Sequence, residues 1–481
     1  MGSIKKLLSD SIVYGLAGAI SKSINIFLVP IYTRTFSPAE YGIINLATNF
    51  YTLIYIFCTL NLDAAVHRWF WESDQLSYKR RVVGSWLYST LVFTTIISLC
   101  IFYFAVPLSK LILGSSNHHI LFQYIALSIV SSLFGTYINT LFRIEDKAIS
   151  LAVFNTVLGV LTAGITIFMV VKQGMGVEGV FLGASAAQLI MAVIATILIY
   201  KWLIPFYFDV HLLKPMLLYV IPGIPSNILY WILNNSVGYF IYILCQSKDE
   251  VGLFNIGAAI ASLIALIVST FQQAWTPFAM SIIQNENAKS IYARVLILYC
   301  AAIGLISMLV GMFTKEALIL FTHPKYYEAQ YTAVILVYSQ IFIGLTHIGM
   351  IGSAIKKTIL PLLKVLFVSA CLFAVLCAIM VPVYGKEGAA VSTLIAQIMM
   401  PIYVFYRSQK DYYIPYNFRQ AFLIILISMI LTSAAVAITS FLHFTLFIQV
   451  LVKMLFLSMF LVFLFVTKTI TWQDLKKLWI F

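Results

Sequence analysis

Charged residues are scarce in this sequence. Of 481 residues, 10% are Asp, Glu, Lys or Arg, whereas 62% are hydrophobic. A soluble globular domain carries roughly 25% charged residues, so the composition excludes a soluble enzyme or a soluble binding domain. The chain is predicted to be a polytopic membrane protein, because only a bilayer offers an apolar solvent for so large a hydrophobic fraction.

Acidic residues are the rarer charged type, with 17 Asp and Glu against 30 Lys and Arg. No Asp or Glu falls in the middle of a predicted span, which argues against a proton relay built on carboxylates. The net charge of +13 does not indicate nucleic-acid binding, because the basic residues are dispersed over short loops between apolar runs.

Several chemical motifs are also missing. The six cysteines lie within apolar runs or at their ends, without the spacing of a metal site or of a disulfide framework. No G-x-x-x-x-G-K-[ST] loop occurs, so the chain is not expected to hydrolyse ATP. The longest predicted loop, 62–82, is too short to form a soluble domain. Neither a metal nor another cofactor is expected.

What the sequence does contain is a series of long apolar runs. A spanning helix needs about 20 mostly apolar residues. The seventh run contains Pro222 and Pro225, which should kink or break it. The predicted fold is therefore an all-α polytopic membrane protein with about fourteen transmembrane helices, at 12–33, 41–61, 83–106, 120–141, 149–171, 178–200, 216–244, 251–279, 291–313, 331–354, 358–381, 388–406, 419–440 and 445–466.

The distribution of Lys and Arg predicts the orientation of these spans. With a cytoplasmic N-terminus, the predicted inner segments hold roughly three times as many Lys and Arg as the outer ones, as the positive-inside rule requires. Both termini are then cytoplasmic. The first span begins after Lys5 and Lys6 and has no A-x-A-like cleavage site, so it is predicted to be a helix rather than a signal peptide.

Two short motifs recur at nearly one offset. Residues 40–45 and 250–255 both read E-x-G-apolar-apolar-N, and the Glu-Gly pairs at 178–179 and 387–388 are each followed by a glutamine, Gln188 or Gln397. We interpret this as duplication of a six-span unit, with parallel copies related by an axis along the membrane normal. The predicted lobes are 1–206 and 207–408, with two extra helices in 409–481. Alternatively, the motifs are only common helix-entry turns.

Two lysines lie inside predicted spans. Lys22 is near the middle of the first span, with Asn25 one turn on along the same face. A cation at this depth is costly unless it faces a polar interior, which favours a functional role over a snorkelling one. Lys453, in the last span, is shallower and is able to snorkel outward.

A second set of polar residues gathers at the predicted inner end of the first lobe. Asp63 and His67 are four residues apart, so they share one helix face, and Arg68 follows. Arg143 lies at the same inner mouth. All four are candidates for substrate binding or ion coupling, although they also fit an interfacial cluster or simple topology charges.

The second lobe contributes amides and one histidine. Asn234 and Asn235 follow the two prolines of the seventh span and would be costly facing lipid. His347 lies well inside a span and is the candidate proton carrier, since the unperturbed pKa of histidine lies near 6.5; the alternative is a structural histidine. The predicted spans contain lysine but no central carboxylate, so a polar interior between them is expected to favour an anion.

The order of several motifs resembles that of bacterial polysaccharide flippases of the multidrug/oligosaccharidyl-lipid/polysaccharide exporter superfamily. The similar stretches are 32–42 (YTRTFSPAEYG), 62–70 (LDAAVHRWF), 141–146 (LFRIED), Pro222 and Pro225 with Trp231, 250–254 (EVGLF) and 273–278 (QAWTPF). Each motif is loose, but their order and spacing are specific. One departure concerns the second lobe, where Asn234-Asn235 and Gly257-Ala258 replace the charged residues of many relatives.

The resemblance implies two six-helix lobes around a central cavity. It also implies translocation of an undecaprenyl-pyrophosphate-linked oligosaccharide across the bacterial inner membrane by alternating access, for O-antigen or capsule biosynthesis. Lys22, Arg68 and Arg143 would then hold the anionic head. The implied partners are this lipid-linked anionic glycan and membrane lipids, with a glycan polymerase and a chain-length regulator as further candidates, and no nucleic acid.

Two other function classes stay open at the level of sequence. An ion-coupled small-molecule exporter of the same superfamily would usually need an intramembrane carboxylate, and none is visible. An integral-membrane glycosyl- or acyltransferase would need catalytic Asp, Glu or His near a membrane surface, and only Asp63 and His67 qualify.

Overall fold

The computed structural model describes residues 28–204, 206–356, 360–442, 445–467 and 469. The first predicted span, 12–33, thus lies mostly outside the described residues. The chain divides into two compact units, with the division after Gly252. The lobe boundary near residue 207, which the sequence motifs suggest, concerns the repeat and stays a prediction.

Unit 1 consists of helices, with no strand among its described residues. Residues 28–35 are helical and lead into the remaining elements. These are α1 (Pro38–Thr59), α2 (Leu62–Trp69), α3 (Leu76–Tyr103), α4 (Ala105–Leu113), a 3₁₀ turn (Ser116–His118), α5 (His119–Ile144), α6 (Ala148–Ile167) with a π-helical end (Phe168–Lys172), α7 (Gly176–Leu203), α8 (Val210–Val220), a 3₁₀ turn (Ile221–Gly223), α9 (Ile224–Asn235) and α10 (Val237–Cys245).

Unit 2 also consists of helices, with no strand among its described residues. Helix α11 begins four residues before the division between the units and continues into unit 2. The elements are α11 (Lys248–Ser281), α12 (Ala288–Met312), α13 (Thr314–Phe321), a 3₁₀ helix (Pro324–Ala329), α14 (Gln330–Gly349), α15 (Ile351–Ile355), α16 (Leu360–Asp411), α17 (Phe418–Phe441) and α18 (Leu446–Val466).

Twelve helical stretches of the described chain are long and apolar enough to cross a membrane. The longest, within α16, contains Gly385 with φ 52° and ψ −129°, a conformation open to glycine but not to residues with a side chain. This break yields the two spans predicted at 358–381 and 388–406. The described residues thus account for thirteen of the fourteen predicted spans, and the all-α polytopic fold is confirmed.

The predicted break of the seventh span is confirmed. Pro222 falls in the 3₁₀ turn between α8 and α9, and Pro225 is at the start of α9, where its missing N–H costs nothing. A second break follows at Ser236. Helix α9 is held against α1 because the Trp231 indole donates to Thr52 Oγ1 at 3.1 Å and to the Asn49 carbonyl at 3.2 Å.

The two E-x-G motifs both form helix N-termini. Ser37 caps α1: its hydroxyl accepts from the Glu40 N–H at 3.3 Å, while the Glu40 carboxylate accepts from the Ser37 N–H at 2.7 Å. At the start of α11, Ser247 accepts from the Glu250 N–H at 3.3 Å. Glu40 therefore completes a capping box with Ser37, whereas at α11 the Ser247 hydroxyl caps the Glu250 N–H; both satisfy N–H groups that a helix leaves unpaired.

Other local features also recur 209 residues apart. Phe104 follows the end of α3 and Phe313 follows the end of α12, with closely similar backbone angles (φ −91°, ψ 21° and φ −93°, ψ 12°). Gly176 and Gly385 both have positive φ, at 61° and 52°. Backbone conformation therefore recurs at the same offset as the sequence motifs, which supports the duplication hypothesis.

Candidate functional site

A continuous set of polar side chains crosses four helices of unit 1. On α5, Ser132, Thr136 and Asn139 lie at positions i, i+4 and i+7, which places them on one helix face. Tyr51 and Tyr55 share one face of α1 in the same way. We call this set the polar seam; its members are Tyr51, Tyr55, Ser132, Thr136, Asn139, Asn155 on α6 and Gln188 on α7.

Two tyrosines form the side of the seam contributed by α1. Their rings are stacked, with centroids 5.7 Å apart and planes inclined by 18°. The Tyr55 hydroxyl lies 2.5 Å from Thr136 Oγ1 and donates to the Ser132 carbonyl at 3.2 Å. Hydrogen bonds at the far end of the ring fix its orientation, so the stacked pair presents a defined aromatic surface.

Two asparagines form the opposite side. The Asn155 amide nitrogen donates to Asn139 Oδ1 at 3.0 Å, and the Asn139 amide nitrogen donates to the Gly135 carbonyl at 2.7 Å and to Asn155 Oδ1 at 3.4 Å. An amide offers two donors and a doubly accepting oxygen. Among the described residues, the Asn155 nitrogen therefore has one N–H without an acceptor, and both oxygens retain acceptor capacity.

The seam is only partly buried. Ser132, Asn139 and Asn155 are each partly exposed, and a side chain built on Gly135 would meet no atom within 4 Å. Tyr51 and Tyr55 are also partly accessible, although protein atoms surround them densely. This combination is typical of side chains that line a cleft.

Gln188 lies at the end of the seam beside Tyr51, whose hydroxyl interacts with the Gln188 and Ser132 side chains. Its carbonyl oxygen, Oε1, is buried and accepts no hydrogen bond from the described residues. A buried acceptor without a donor costs roughly 1–3 kcal/mol. Gln397 lies 209 residues later, in unit 2. Its Oε1 is likewise buried and accepts no hydrogen bond from the described residues.

A basic residue terminates the seam. Arg143 is one turn beyond Asn139 on the same face of α5, and its side chain is exposed. The charges of Arg143 and Asp63 both act on the His67 ring. The structure thus brings together three of the predicted site residues, Asp63, His67 and Arg143, at the end of α5.

Arg68 has a different environment. Its guanidinium lies over the rings of Tyr219, at 4.9 Å, and Trp69, at 5.3 Å. These cation–π contacts connect α2 to α8. Arg68 is nevertheless exposed, so its predicted role in binding an anion stays a prediction.

Three further predicted site residues lie on α9 and α14. Asn234 is exposed and donates to the Tyr230 carbonyl at 2.9 Å, and Asn235 is the last residue of α9. His347, on α14 of unit 2, is partly buried and has no hydrogen bond to the described residues. Lys22 and Asn25 lie outside the described residues. Among those described, no group of His, Cys, Asp and Glu could hold a metal.

The expectation that Lys453 snorkels outward is wrong. Its side chain is 1% exposed, and its ammonium donates to both carboxylate oxygens of Glu316, at 2.5 and 2.7 Å. Glu316 lies on α13, which the sequence analysis assigned to a loop. Lys453 is paired rather than snorkelling because a carboxylate of another helix reaches it, and the attraction between the two charges offsets the cost of desolvating them.

Sequence reasoning missed the seam as a whole. Its members are uncharged, and single asparagines or tyrosines in a span are ordinary. One sequence pattern could have identified it: the helical spacing of polar residues in an apolar run places them in one stripe along the helix. These residues are Ser132, Thr136, Asn139 and Arg143.

Comparison with known proteins agrees with this architecture. The profile of the family described as polysaccharide biosynthesis protein matches residues 7–284. No curated protein sequence matches the chain. Among solved structures, the lipid II flippase MurJ in its inward closed conformation has a TM-score of 0.72 at 16% identity, over 94% of this chain and 99% of that one.

Two transporters of the MATE family are similar at lower scores. A mutant of the Vibrio cholerae MATE transporter VcmN has a TM-score of 0.52 at 13% identity, over 84% of this chain and 96% of that one. An outward-facing multidrug resistance MATE transporter of the MOP superfamily has a TM-score of 0.53 at 15% identity, over 84% and 95%. The chain is thus a multi-pass membrane protein with the fold of the multidrug/oligosaccharidyl-lipid/polysaccharide exporter superfamily, and it belongs to the polysaccharide biosynthesis protein family.

Proposed function

We propose that this protein is a flippase that carries an undecaprenyl-pyrophosphate-linked oligosaccharide repeat unit from the inner to the outer leaflet of the bacterial inner membrane. The observation that carries the proposal is the polar stripe on α5, which begins at Ser132 and ends at the basic residue Arg143. A lipid-linked oligosaccharide has the same sequence of chemical groups, with uncharged sugars next to an anionic pyrophosphate. Membership of a polysaccharide biosynthesis family supports the same substrate class.

The proposed anion contact is Arg143, with Lys22 and Arg68 as further cations. A guanidinium binds phosphate oxygens in a bidentate fashion, and such charge-assisted hydrogen bonds are roughly twice as strong as neutral ones. Arg143 is exposed at the end of the stripe. Because both termini are predicted to be cytoplasmic, this end faces the leaflet in which the lipid-linked unit is made.

Transport by alternating access needs no bond-making step, so the protein is proposed to have no enzymatic activity. The seam contains tyrosines, hydroxyls and amides, none of which is a general acid or base near neutral pH. Asp63 and His67 are close enough to interact, but their neighbour is Arg143, which suits charge balance at the mouth of the site.

The small-molecule exporter is the second candidate, and the fold shared with MATE transporters favours it. A cation exporter is expected to have a carboxylate within its spans, but no Asp or Glu of unit 1 occurs within 41–62, 82–142 or 179–200. A proton- or sodium-coupled exporter would usually place a carboxylate at such depth.

Gene deletion and complementation test the two functions against each other. In a deletion strain we expect loss of surface glycan and accumulation of lipid-linked repeat units in the inner leaflet, both restored by the parent protein. Arg143→Ala should restore less than a tenth of the glycan, whereas Lys110→Ala, an exposed lysine of α4, should restore all of it. Normal glycan in the deletion strain, together with raised sensitivity to cationic drugs, would instead identify an exporter.

A further inference from the structure

The polar seam has a composition that suits one class of ligand group. It is uncharged, and its amides and hydroxyls offer donors and acceptors in nearly equal number. An ion would need compensating charge, and an apolar drug would leave these groups unpaired. Sugar hydroxyls, each able to donate and to accept, match such a surface.

The stacked tyrosines add a second element. A pyranose ring has an apolar C–H face and a polar rim, so it packs on an aromatic ring while its hydroxyls bond to groups at the side. The Tyr51 and Tyr55 rings lie nearly parallel, and Asn139 lies one turn from the Thr136 that holds the Tyr55 hydroxyl. An aromatic surface flanked by a few convergent polar groups is the usual form of a small-ligand site.

A third observation is the unsatisfied carbonyl of Gln188. The Gln188 side chain interacts with the Tyr51 hydroxyl, but its Oε1 is buried and no described residue donates to it. Native proteins rarely leave such an acceptor unpaired without a reason. A small rotation of the side chain toward the seam would let a ligand hydroxyl donate to it.

We propose that the polar seam is the sugar-binding subsite of unit 1, which recognises the uncharged hydroxyls of the glycan by Asn139, Asn155 and Gln188 and stacks one sugar ring on Tyr51 and Tyr55. This inference rests on the proposed flippase function and assigns separate protein surfaces to the two parts of the substrate. Along α5, Asn139 precedes Arg143 by about 6 Å of helix rise, so a sugar on the seam lies beside the anion contact.

The structural alternative is that the seam only joins helices. Asparagine pairs commonly connect membrane helices, and their loss would then weaken the protein without changing which ligand it prefers. The decisive measurement is therefore a ratio of two affinities, because a general loss of folding lowers both.

Two probes give this ratio for purified protein in lipid nanodiscs. One is the lipid-linked repeat unit extracted from the deletion strain, and the other is undecaprenyl pyrophosphate without sugar. The parent protein should prefer the glycosylated lipid at least tenfold. Tyr51→Leu and Asn139→Leu should each reduce this preference about tenfold, because each removes one or two hydrogen bonds or ring contacts to the sugar. Neither variant should change the affinity for the bare lipid.

Conservative variants serve as controls. Tyr51→Phe keeps the ring and should retain most of the preference, and Tyr103→Leu, an exposed tyrosine of α3, should retain all of it. If Asn139→Leu does not fold, Asn155→Ser carries the same test. Equal loss of affinity for both lipids in the seam variants would overturn the proposal, as would a parent that binds both lipids equally.

The same assay separates this proposal from the one on which it rests. A parent that binds neither lipid contradicts the flippase function and the sugar subsite together. A parent that binds both lipids with one affinity, and still restores surface glycan in cells, contradicts the sugar subsite alone.

Discussion

Gly42 and Gly252 are in reciprocal contact at the starts of α1 and α11. A methyl group on Gly42 would overlap the Lys248 carbonyl, and a methyl group on Gly252 would overlap the Pro38 carbonyl. Each obstructing carbonyl lies four residues before the other glycine. Two copies of one motif therefore pack against each other through their glycines, with no room for a side chain on either.

Substitution of these glycines should destabilise the protein. Gly42→Ala and Gly252→Ala should each push the first turns of α1 and α11 apart. The expected loss in the free energy of unfolding is about 1–3 kcal/mol. The double variant should cost less than the sum, because the first substitution already separates the helices. Apparent melting temperatures in detergent measure both effects. Gly164→Ala on α6 is the control, since its added carbon meets no atom within 4 Å; equal melting temperatures for all these variants would refute the close contact.

Removing one partner of the buried ion pair between Lys453 and Glu316 should weaken the attachment of α18. Lys453→Met leaves a carboxylate without its partner, with an expected loss of about 3–5 kcal/mol if Glu316 stays charged. Replacing both residues, as Lys453→Met with Glu316→Leu, should recover most of that loss. Thermal unfolding and limited proteolysis after residue 441 are suitable measurements.

The matched control for this pair lies at the surface. Lys356 donates to Asp411 at 3.2 Å, but the Lys356 side chain is 52% exposed. Lys356→Met should therefore change stability by less than about 1 kcal/mol. A comparable loss in both lysine variants would show that burial of Lys453 has no special importance.

Lys22 is expected to contact the anionic part of the substrate. Lys22→Ala should abolish surface glycan while the protein still inserts at a normal level, because a phosphate oxygen both neutralises and hydrogen-bonds a buried cation. Lys22→Arg should retain part of the activity, since charge matters more than shape for a point contact. Complementation with quantified membrane protein measures this, and full glycan display by Lys22→Ala would contradict it.

His347 is the candidate group for proton coupling. In proteoliposomes containing a labelled lipid-linked substrate, His347→Gln should remove the response to a pH gradient while downhill flipping continues. Protonation would add a positive charge that favours the anion-loaded state, and loss of the proton would favour release. His323→Gln, at an exposed histidine, should respond like the parent. A His347→Gln protein that responds normally excludes this residue.

Local features of the fold could be predicted from sequence with good accuracy. Long apolar runs identify spans because bilayer thickness fixes their length. Pro222 breaks the seventh span at the expected place, because proline lacks the N–H that a helix interior requires. The motif at 40–45 lies in the first turns of α1, where the Ser37 hydroxyl accepts from the Glu40 N–H and the Glu40 carboxylate accepts from the Ser37 N–H.

The candidate site was less accessible to sequence analysis. Asp63 and His67 share one face of α2, because positions i and i+4 adjoin on any helix. Arg68 follows directly in sequence, yet it turns toward Tyr219 on α8, since successive residues of a helix point about 100° apart. The partner of Lys453 was missed because Glu316 is 137 residues away.

The sequence by itself determined the class of the protein, its spans, their breaks and its family, because each of these depends on composition or on residues close in the chain. The tertiary structure alone decided which polar side chains meet: Tyr55 with Thr136, Asn139 with Asn155, and Lys453 with Glu316. The physical reason is that lipid-facing and protein-facing positions of a membrane helix are equally apolar, so hydropathy does not specify helix rotation. Packing fixes that rotation, and with it the polar seam.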